Sequence, residues 1–210
     1  MSILILLQSG QVVKMSNQNQ LSIGCVVMAA GNAERFGENK LAAKVDGKTL
    51  IEHALEAVPA DQLAAVCAVT QYDEVEALAK RFGFRCIRNA HPEWGLSYTI
   101  RLGTEALQNE CRAIVYQVSD QPLLRRESVA ALVDFYREHP GHIVGASHGG
   151  TRGNPCIFPE EYYPALCALT GDKGGSTIIR EHEDNLLLFE VDKQELTDVD
   201  TKEALRDLKK

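Results

Sequence analysis

The sequence has no apolar run near the roughly 20 residues that a helix needs to cross a bilayer, so no membrane-spanning segment is expected. It has no excess of positive charge. Its 22 Lys and Arg stand against 29 Asp and Glu, and the net charge of −7 repels phosphate backbones at long range, which disfavours a broad nucleic-acid surface. It has no Cys-x-x-Cys pair. Its six cysteines are scattered and lie mostly in apolar segments, which argues against a zinc site and for reduced, buried thiols in a cytoplasmic protein. Neither a Walker A loop nor a Gly-x-Gly-x-x-Gly fingerprint occurs. Repeats, low-complexity tracts and linkers are absent too. None of this excludes a small anion pocket, because a few local cations and backbone N–H groups can bind one phosphate ligand.

With 210 residues, 45% hydrophobic and 24% charged, the chain suits one domain with a full core and a cleft. Ile3-Leu4-Ile5-Leu6-Leu7 is apolar but short, with no Lys or Arg before it, and makes a poor signal peptide. Residues 1–20 are read as a flexible N-terminal extension, its first 14 residues dispensable, and 21–210 as a single monomeric domain.

Apolar strand-like runs alternate with helical spacings. Ile23–Ala30 reads as a central strand buried on both faces. Thr49 and Glu52 form a capping-box pattern for a helix that stops at Pro59. Strands follow at Leu63–Thr70, Phe84–Arg88, Arg112–Val118 and Leu186–Val191, with helices at Asp73–Phe82, Ser97–Leu107, Ser128–Glu138 and Thr201–Leu208. Two short helices are expected near 160–169 and 174–182. Ile143–Ser147, the turn cluster Gly149–Gly153 and Pro155–Phe158 suggest an antiparallel hairpin. Strands separated by helices imply parallel pairing with right-handed crossovers, hence a doubly wound α/β sandwich, mostly parallel, with a small antiparallel addition. Ligands of such sheets sit at the carboxyl ends of the strands. Three polar clusters fall there in chain order: Gly31–Lys40, Asp120-Gln121-Pro122 and Gly153-Asn154-Pro155.

Taken alone, each cluster has two readings. Ala29, Ala30 and Gly31 let a ligand approach the backbone closely, and Arg35 and Lys40 suit phosphate oxygens, but the same loop reads equally as a solvated turn. Asp120 is a metal ligand or a turn cap. Asp200 is a metal ligand or the cap of the last helix, with Asp198 as its substitute. Gly153-Asn154-Pro155 is an acceptor site or a hairpin turn. Trp94, the sole Trp, is a ring-stacking surface or a loop anchor. The six scattered histidines suggest no ligand role.

Together these segments resemble a known family. Ala-Ala-Gly-x-x-x-Arg-x-Gly-x-x-Lys at the end of the first strand is similar to the signature of the nucleotidyltransferases of molybdenum-cofactor biosynthesis. Ser119-Asp120-Gln121-Pro122 resembles the Gly-Asp-Gln-Pro motif of their cytidylyltransferase branch. Asn89 through Gly95-Leu96-Ser97, Arg152-Gly153-Asn154-Pro155, Gly171-Asp172-Lys173-Gly174 and Asp198-Val199-Asp200-Thr201 match it in order and spacing, from about residue 23 onward. Ala33, Phe36, Ser119, Tyr98 and Ile100 depart from the usual pattern.

The resemblance implies a Rossmann-like nucleotidyltransferase fold of the nucleotide-diphospho-sugar transferase type. It implies Mg²⁺- or Mn²⁺-dependent transfer of CMP from CTP to molybdopterin, with pyrophosphate released and the product passed to a molybdoenzyme. It implies that Arg35, Lys40 and Asp120 are catalytic and that Asp120 and Asp200 hold the metal. Ala29, Ala30, Gly31, Thr70, Gln71, Gly95 and Ser97 would join Arg35 and Lys40 around the nucleotide, and Arg152, Gly153, Asn154, Pro155, Asp172 and Lys173 would bind the acceptor. Use of GTP or another phosphorylated acceptor, and a non-catalytic nucleotide-binding module, are the alternatives.

Overall fold

The computed structural model of the protein describes residues 21–31 and 39–208. The proposed extension and Arg35 lie outside the described residues. The elements run in the order β1 (Ile23–Ala29), β2 (Lys44–Val45), β3 (Lys48–Thr49), α1 (Leu50–Glu56), β4 (Ala65–Thr70), α2 (Asp73–Arg81) and β5 (Arg85–Arg88). Then come α3 (Leu96–Leu107), β6 (Ala113–Val118), α4 (Arg126–Glu138), β7 (Ile143–His148), β8 (Thr151–Pro159), α5 (Tyr163–Cys167), α6 (Gly175–Glu181), β9 (Leu186–Glu190) and α7 (Lys202–Asp207).

Seven strands form one sheet in the order β5-β4-β1-β6-β8-β7-β9. All its pairings are parallel except the two that β8 makes with β6 and β7. The antiparallel addition expected near 143–158 is therefore built into the main sheet. A second sheet is the β2–β3 hairpin. Its turn is Asp46-Gly47, both residues at positive φ, as a two-residue hairpin turn requires.

Strand β1 shows why a continuous apolar run folds this way. Ile23, Cys25, Val27 and Ala29 face one core with α1, α2 and α4, while Val26 faces the other with α3, α5 and α6. Side chains alternate across a strand, so a strand covered on both faces must be apolar throughout. Cysteines fill small core positions: all six are free thiols, and burial pushes the Cys67 thiol up to about 12. On α1 the expected capping box forms, with Glu52 N donating to Thr49 Oγ1 at 3.3 Å and Thr49 N to Glu52 Oε2 at 2.7 Å.

Two alternatives left open by the sequence drop out. Only Gly149 and Gly150 make the β7–β8 turn, both at positive φ. Arg152-Gly153-Asn154-Pro155 lies inside β8 and is not a hairpin turn. Asp200 does not cap α7: that N-cap is Thr201, whose hydroxyl accepts from Ala204 N at 3.1 Å. A hydroxyl one residue later satisfies the helix, and the Asp200 carboxylate is left for other work.

Helix α3 comes close to the sheet at Gly103. A methyl group there would lie 2.4 and 2.8 Å from the Val26 γ-carbons. Val26 is a β-branched residue with no exposed surface and has little room to move. Gly103→Ala is expected to destabilise the fold by about 1–3 kcal/mol, although Ala is the better helix former. An unchanged urea midpoint would show that α3 gives way freely.

Candidate active site

The end of β1 is held by a ladder of side chains from the neighbouring strand. Thr70 Oγ1 donates to Ala29 O at 2.9 Å, Gln71 Nε2 to Ala30 O at 3.0 Å, and the Tyr72 hydroxyl to Gly31 O at 2.7 Å. Three successive residues thus fix three successive carbonyls. Thr70 is fully buried, and its hydroxyl also accepts from Tyr72 N at 3.1 Å. Sequence reading placed Thr70 and Gln71 beside the nucleotide; in the structure they hold the carbonyls at the end of β1. Tyr72 was not foreseen. Its signal was a third hydrogen-bonding residue directly after an apolar strand.

Lys40 has its backbone pinned by its neighbours on both sides. Asn39 caps the short turn Lys40–Ala42 by accepting from Leu41 N at 3.1 Å, and reaches Glu74 Oε1 at 2.6 Å. Leu41 is buried in the core. From this base Lys40 Nζ donates to Asp120 Oδ2 at 2.7 Å and Asp200 Oδ1 at 3.0 Å. Burial works against the Lys40 charge, but Asp120 and Asp200 outweigh it and raise the ammonium pKa above its ordinary value.

Asp120 follows β6, and Asp200 precedes α7. Ser119 ties the exit of β6 to the end of β1 by donating to Met28 O at 2.8 Å. Val199, fully buried with Val45 and Leu50, donates from its N–H to Asp120 O at 2.8 Å. Gln121 Nε2 donates to Asp198 Oδ1 at 2.9 Å. Burial first, and then the neighbouring Asp120, raise the Asp198 carboxyl pKa above the usual carboxylate range. The preceding turn is fastened by Glu195, 2% exposed, which accepts from Arg125 N, Arg125 Nη2 and Ser128 Oγ at 3.0, 2.7 and 2.9 Å. Glu195 meets the open N–H end of α4, a role that chain order did not reveal.

The cluster suits a hard divalent cation. Asp120 Oδ1 and Gln121 Oε1 are buried acceptors without a partner, which is costly unless something positive or protic reaches them. Among the described residues no three His, Cys, Asp or Glu side chains group as metal ligands. A cation here would therefore take Asp120 and Asp200 from the protein and oxygens from phosphate and water, the usual arrangement for Mg²⁺.

The other expected residues fall into two groups. Gly95 has φ +83°, and a Cβ there would lie 2.6 Å from Gly171 O and from Asp172 Oδ1. Ser97 N donates to Gly171 O at 3.1 Å, so the nucleotide-side residues Gly95 and Ser97 meet the acceptor-side Asp172. Arg152 lies across Gly145 and donates through Nη2 to Ser176 Oγ at 2.8 Å. Gly153 packs on Leu196, just before the Asp198–Asp200 segment. Asn154 is joined to Pro155 by a cis peptide bond. Among the described residues no hydrogen bond or ion pair joins Arg152, Asn154 or Lys173 to Lys40, Asp120 or Asp200.

Lys40 stands where a cation bound by the two carboxylates would stand, so the two compete. Lys40→Met is expected to tighten Mn²⁺ binding by the nucleotide-free protein by about tenfold, read by electron paramagnetic resonance of free Mn²⁺. Unchanged affinity would show that the carboxylates do not form the cation site.

Residues 25–186 match the family described as MobA-like NTP transferase domain. The chain is 26% identical over 192 residues to the purine catabolism protein PucB of Bacillus subtilis, a match covering 85% of this chain and 91% of that protein. It is 30% identical over 118 residues to a probable molybdenum cofactor guanylyltransferase of Aquifex aeolicus, covering 54% of each. Rv0371c of Mycobacterium tuberculosis shares the fold, with a TM-score of 0.75 at 19% identity over 90% of this chain and 97% of that one. The same protein is also solved as a complex with manganese, with a TM-score of 0.72 at 21% identity over 90% of this chain and 98% of that one. With the family match running from β1 to the start of β9, and the sheet order and polar strand ends as described, this chain belongs to the MobA-like NTP transferase family and is a nucleotidyltransferase.

Proposed function

We propose that the chain transfers CMP from CTP to the terminal phosphate of molybdopterin, or of its molybdenum-bearing form, and releases pyrophosphate. The observation that carries the reaction class is the Lys40–Asp120–Asp200 cluster, with Asp120 Oδ1 buried and unpartnered beside it. An acceptor phosphate oxygen bonds to the α-phosphorus, and the bond from that phosphorus to the bridging oxygen of the β-phosphate breaks. The nucleophile is already ionised, so the protein's task is charge and alignment.

Asp120 and Asp200 would hold Mg²⁺ or Mn²⁺, which when bound supplies Lewis-acid stabilisation of phosphoryl oxygens. Lys40, released from the carboxylates, offsets charge on the departing pyrophosphate, and Arg35 is assigned the same task. Ala29, Ala30 and Gly31 bring backbone close to the nucleotide, and Gly95 and Ser97 close its other side. Arg152, Gly153, Asn154, Pro155, Asp172 and Lys173 are assigned to the acceptor; the Asn154 amide can donate and accept along a pterin edge.

CTP is favoured by the Ala-Ala-Gly form of the loop and by Asp120-Gln121-Pro122. GTP is the second reading, favoured by the Aquifex relative described as a guanylyltransferase. A pyrophosphate-release assay crossing CTP, GTP, ATP and UTP with both acceptor forms decides between them. The largest kcat/KM is expected with CTP, and no release in any combination would overturn the proposal. Asp120→Ala should lower kcat by at least about a hundredfold in a folded protein. Asn154→Ala should raise the KM for acceptor by about tenfold and leave the KM for CTP unchanged; an equal rise in both would remove Asn154 from the acceptor side.

A further inference from the structure

Trp94 has no part in the cluster just described, and it does not anchor its loop. The loop is anchored by other groups. Asn89, 1% exposed, donates from its N–H to Thr70 O at 2.8 Å and from Nδ2 to Thr99 Oγ1 at 3.2 Å, and accepts His91 N at 2.9 Å. Gly95 wedges against Gly171 on the far side. Between these fixed points Pro92–Trp94 makes a single 3₁₀ turn, closed by Trp94 N donating to His91 O at 3.0 Å and Gly95 N to Pro92 O at 3.1 Å.

The indole is held rigidly and yet is 51% exposed. His91 stacks on it with ring centres 4.1 Å apart and planes 8° apart, and Tyr98 meets it edge-on at 4.7 Å and 65°. Beside this aromatic corner opens a pocket of about 390 Å³, lined by Glu93, Trp94, Tyr98, Arg101, Thr170 and Gly171, with Leu169 and the nucleotide-side Ser97 completing its wall. Lys40, Asp120, Asp198 and Asp200 are not in the lining, while Ser97, assigned to the nucleotide, is, so the pocket borders the nucleotide side without including the carboxylate cluster.

We propose that this pocket seats the planar nitrogen-heterocyclic ring of the acceptor, a proposal that rests on the transfer reaction of the preceding subsection. Three features select that chemistry. The aromatic walls favour a flat ring, and a pocket of this size suits a small molecule. The rim pairs an acceptor with donors: the Glu93 carboxylate, whose Oε1 meets His91 Nδ1 at 3.1 Å, keeps lone pairs for an N–H group of a ring edge, while the Thr170 hydroxyl and the Arg101 groups beyond Nε can donate to ring carbonyls. Arg101 Nε itself is held by Glu105 at 2.7 Å. Finally, the pocket wall at Gly171 adjoins Asp172, already assigned to the acceptor, and meets the nucleotide side through Ser97 and Gly95.

Equilibrium dialysis with unphosphorylated pterin tests the pocket, and CTP in parallel cells controls for the nucleotide base. The wild-type protein is expected to retain pterin, and Trp94→Leu and Tyr98→Ala to weaken that retention about tenfold each, with CTP retention unchanged. Trp94→Phe should fall between wild type and Trp94→Leu. Pterin retention that ignores both positions, or a loss of CTP rather than pterin, would overturn the proposal. Transfer assays separate it from the reaction itself. Pterin held through Trp94 without transfer to any acceptor would sink the reaction and leave the ring pocket. Transfer with an unchanged acceptor KM in both variants would sink the pocket and leave the reaction.

Discussion

One ammonium group joins three stretches of chain that are 80 and 160 residues apart in sequence: Lys40 after the first loop, Asp120 after β6 and Asp200 before α7. The triad can form only if the strand ends, the short turn at Lys40 and the C-terminal segment are each placed independently. Leu41, Val199 and Glu195 do this placing, two by apolar burial and one by a buried carboxylate that meets the start of α4. Two carboxylates brought this close repel each other unless a cation lies between them. Lys40 meets that need in the isolated chain, and the orphaned oxygen of Asp120 shows that it meets it incompletely.

The sheet order explains why the site has two sides. Strands β5, β4, β1 and β6 run parallel and end together, next to the loop ladder and Asp120. The reversed strand β8 brings its opening residues, Arg152 to Pro155, to that same end of the sheet. The parallel half and the reversed strand therefore contribute different chemistry to one edge, small residues and carboxylates from the first, an arginine and an amide from the second.

Much of this was legible in the sequence because it depends on local pattern. The apolar run of β1, the capping box at Thr49 and Glu52, and the stop at Gly83 are short-range signals with direct physical causes. Lys40, Asp120 and Asp200 were legible as motif members, but their contact was not, since spacing along a chain carries no distance across a fold. The alternative left open at Asp200 has the same origin. Asp200 and Thr201 are both good caps, and only the backbone decides which of them faces the open N–H groups of α7. The hairpin-turn alternative for Gly153-Asn154-Pro155 drops out because Gly and Pro punctuate strands as well as loops, and β8 continues through them. Glu195 was invisible, because a buried glutamate in an amphipathic stretch looks like any solvated one.

The ladder from Thr70, Gln71 and Tyr72 has a consequence for the sign of charge the loop will accept. It turns the carbonyls of Ala29, Ala30 and Gly31 towards β4 and its exit. A trans peptide points its N–H opposite to its C=O, so the N–H groups of Ala30 and Gly31 face the other way. The negative ends of these peptide dipoles are held by neutral side chains, and the positive ends point away from β4. The carbonyl oxygens at the end of β1 are thus already occupied by neutral donors before any lysine or arginine is counted, on a protein whose overall charge is negative.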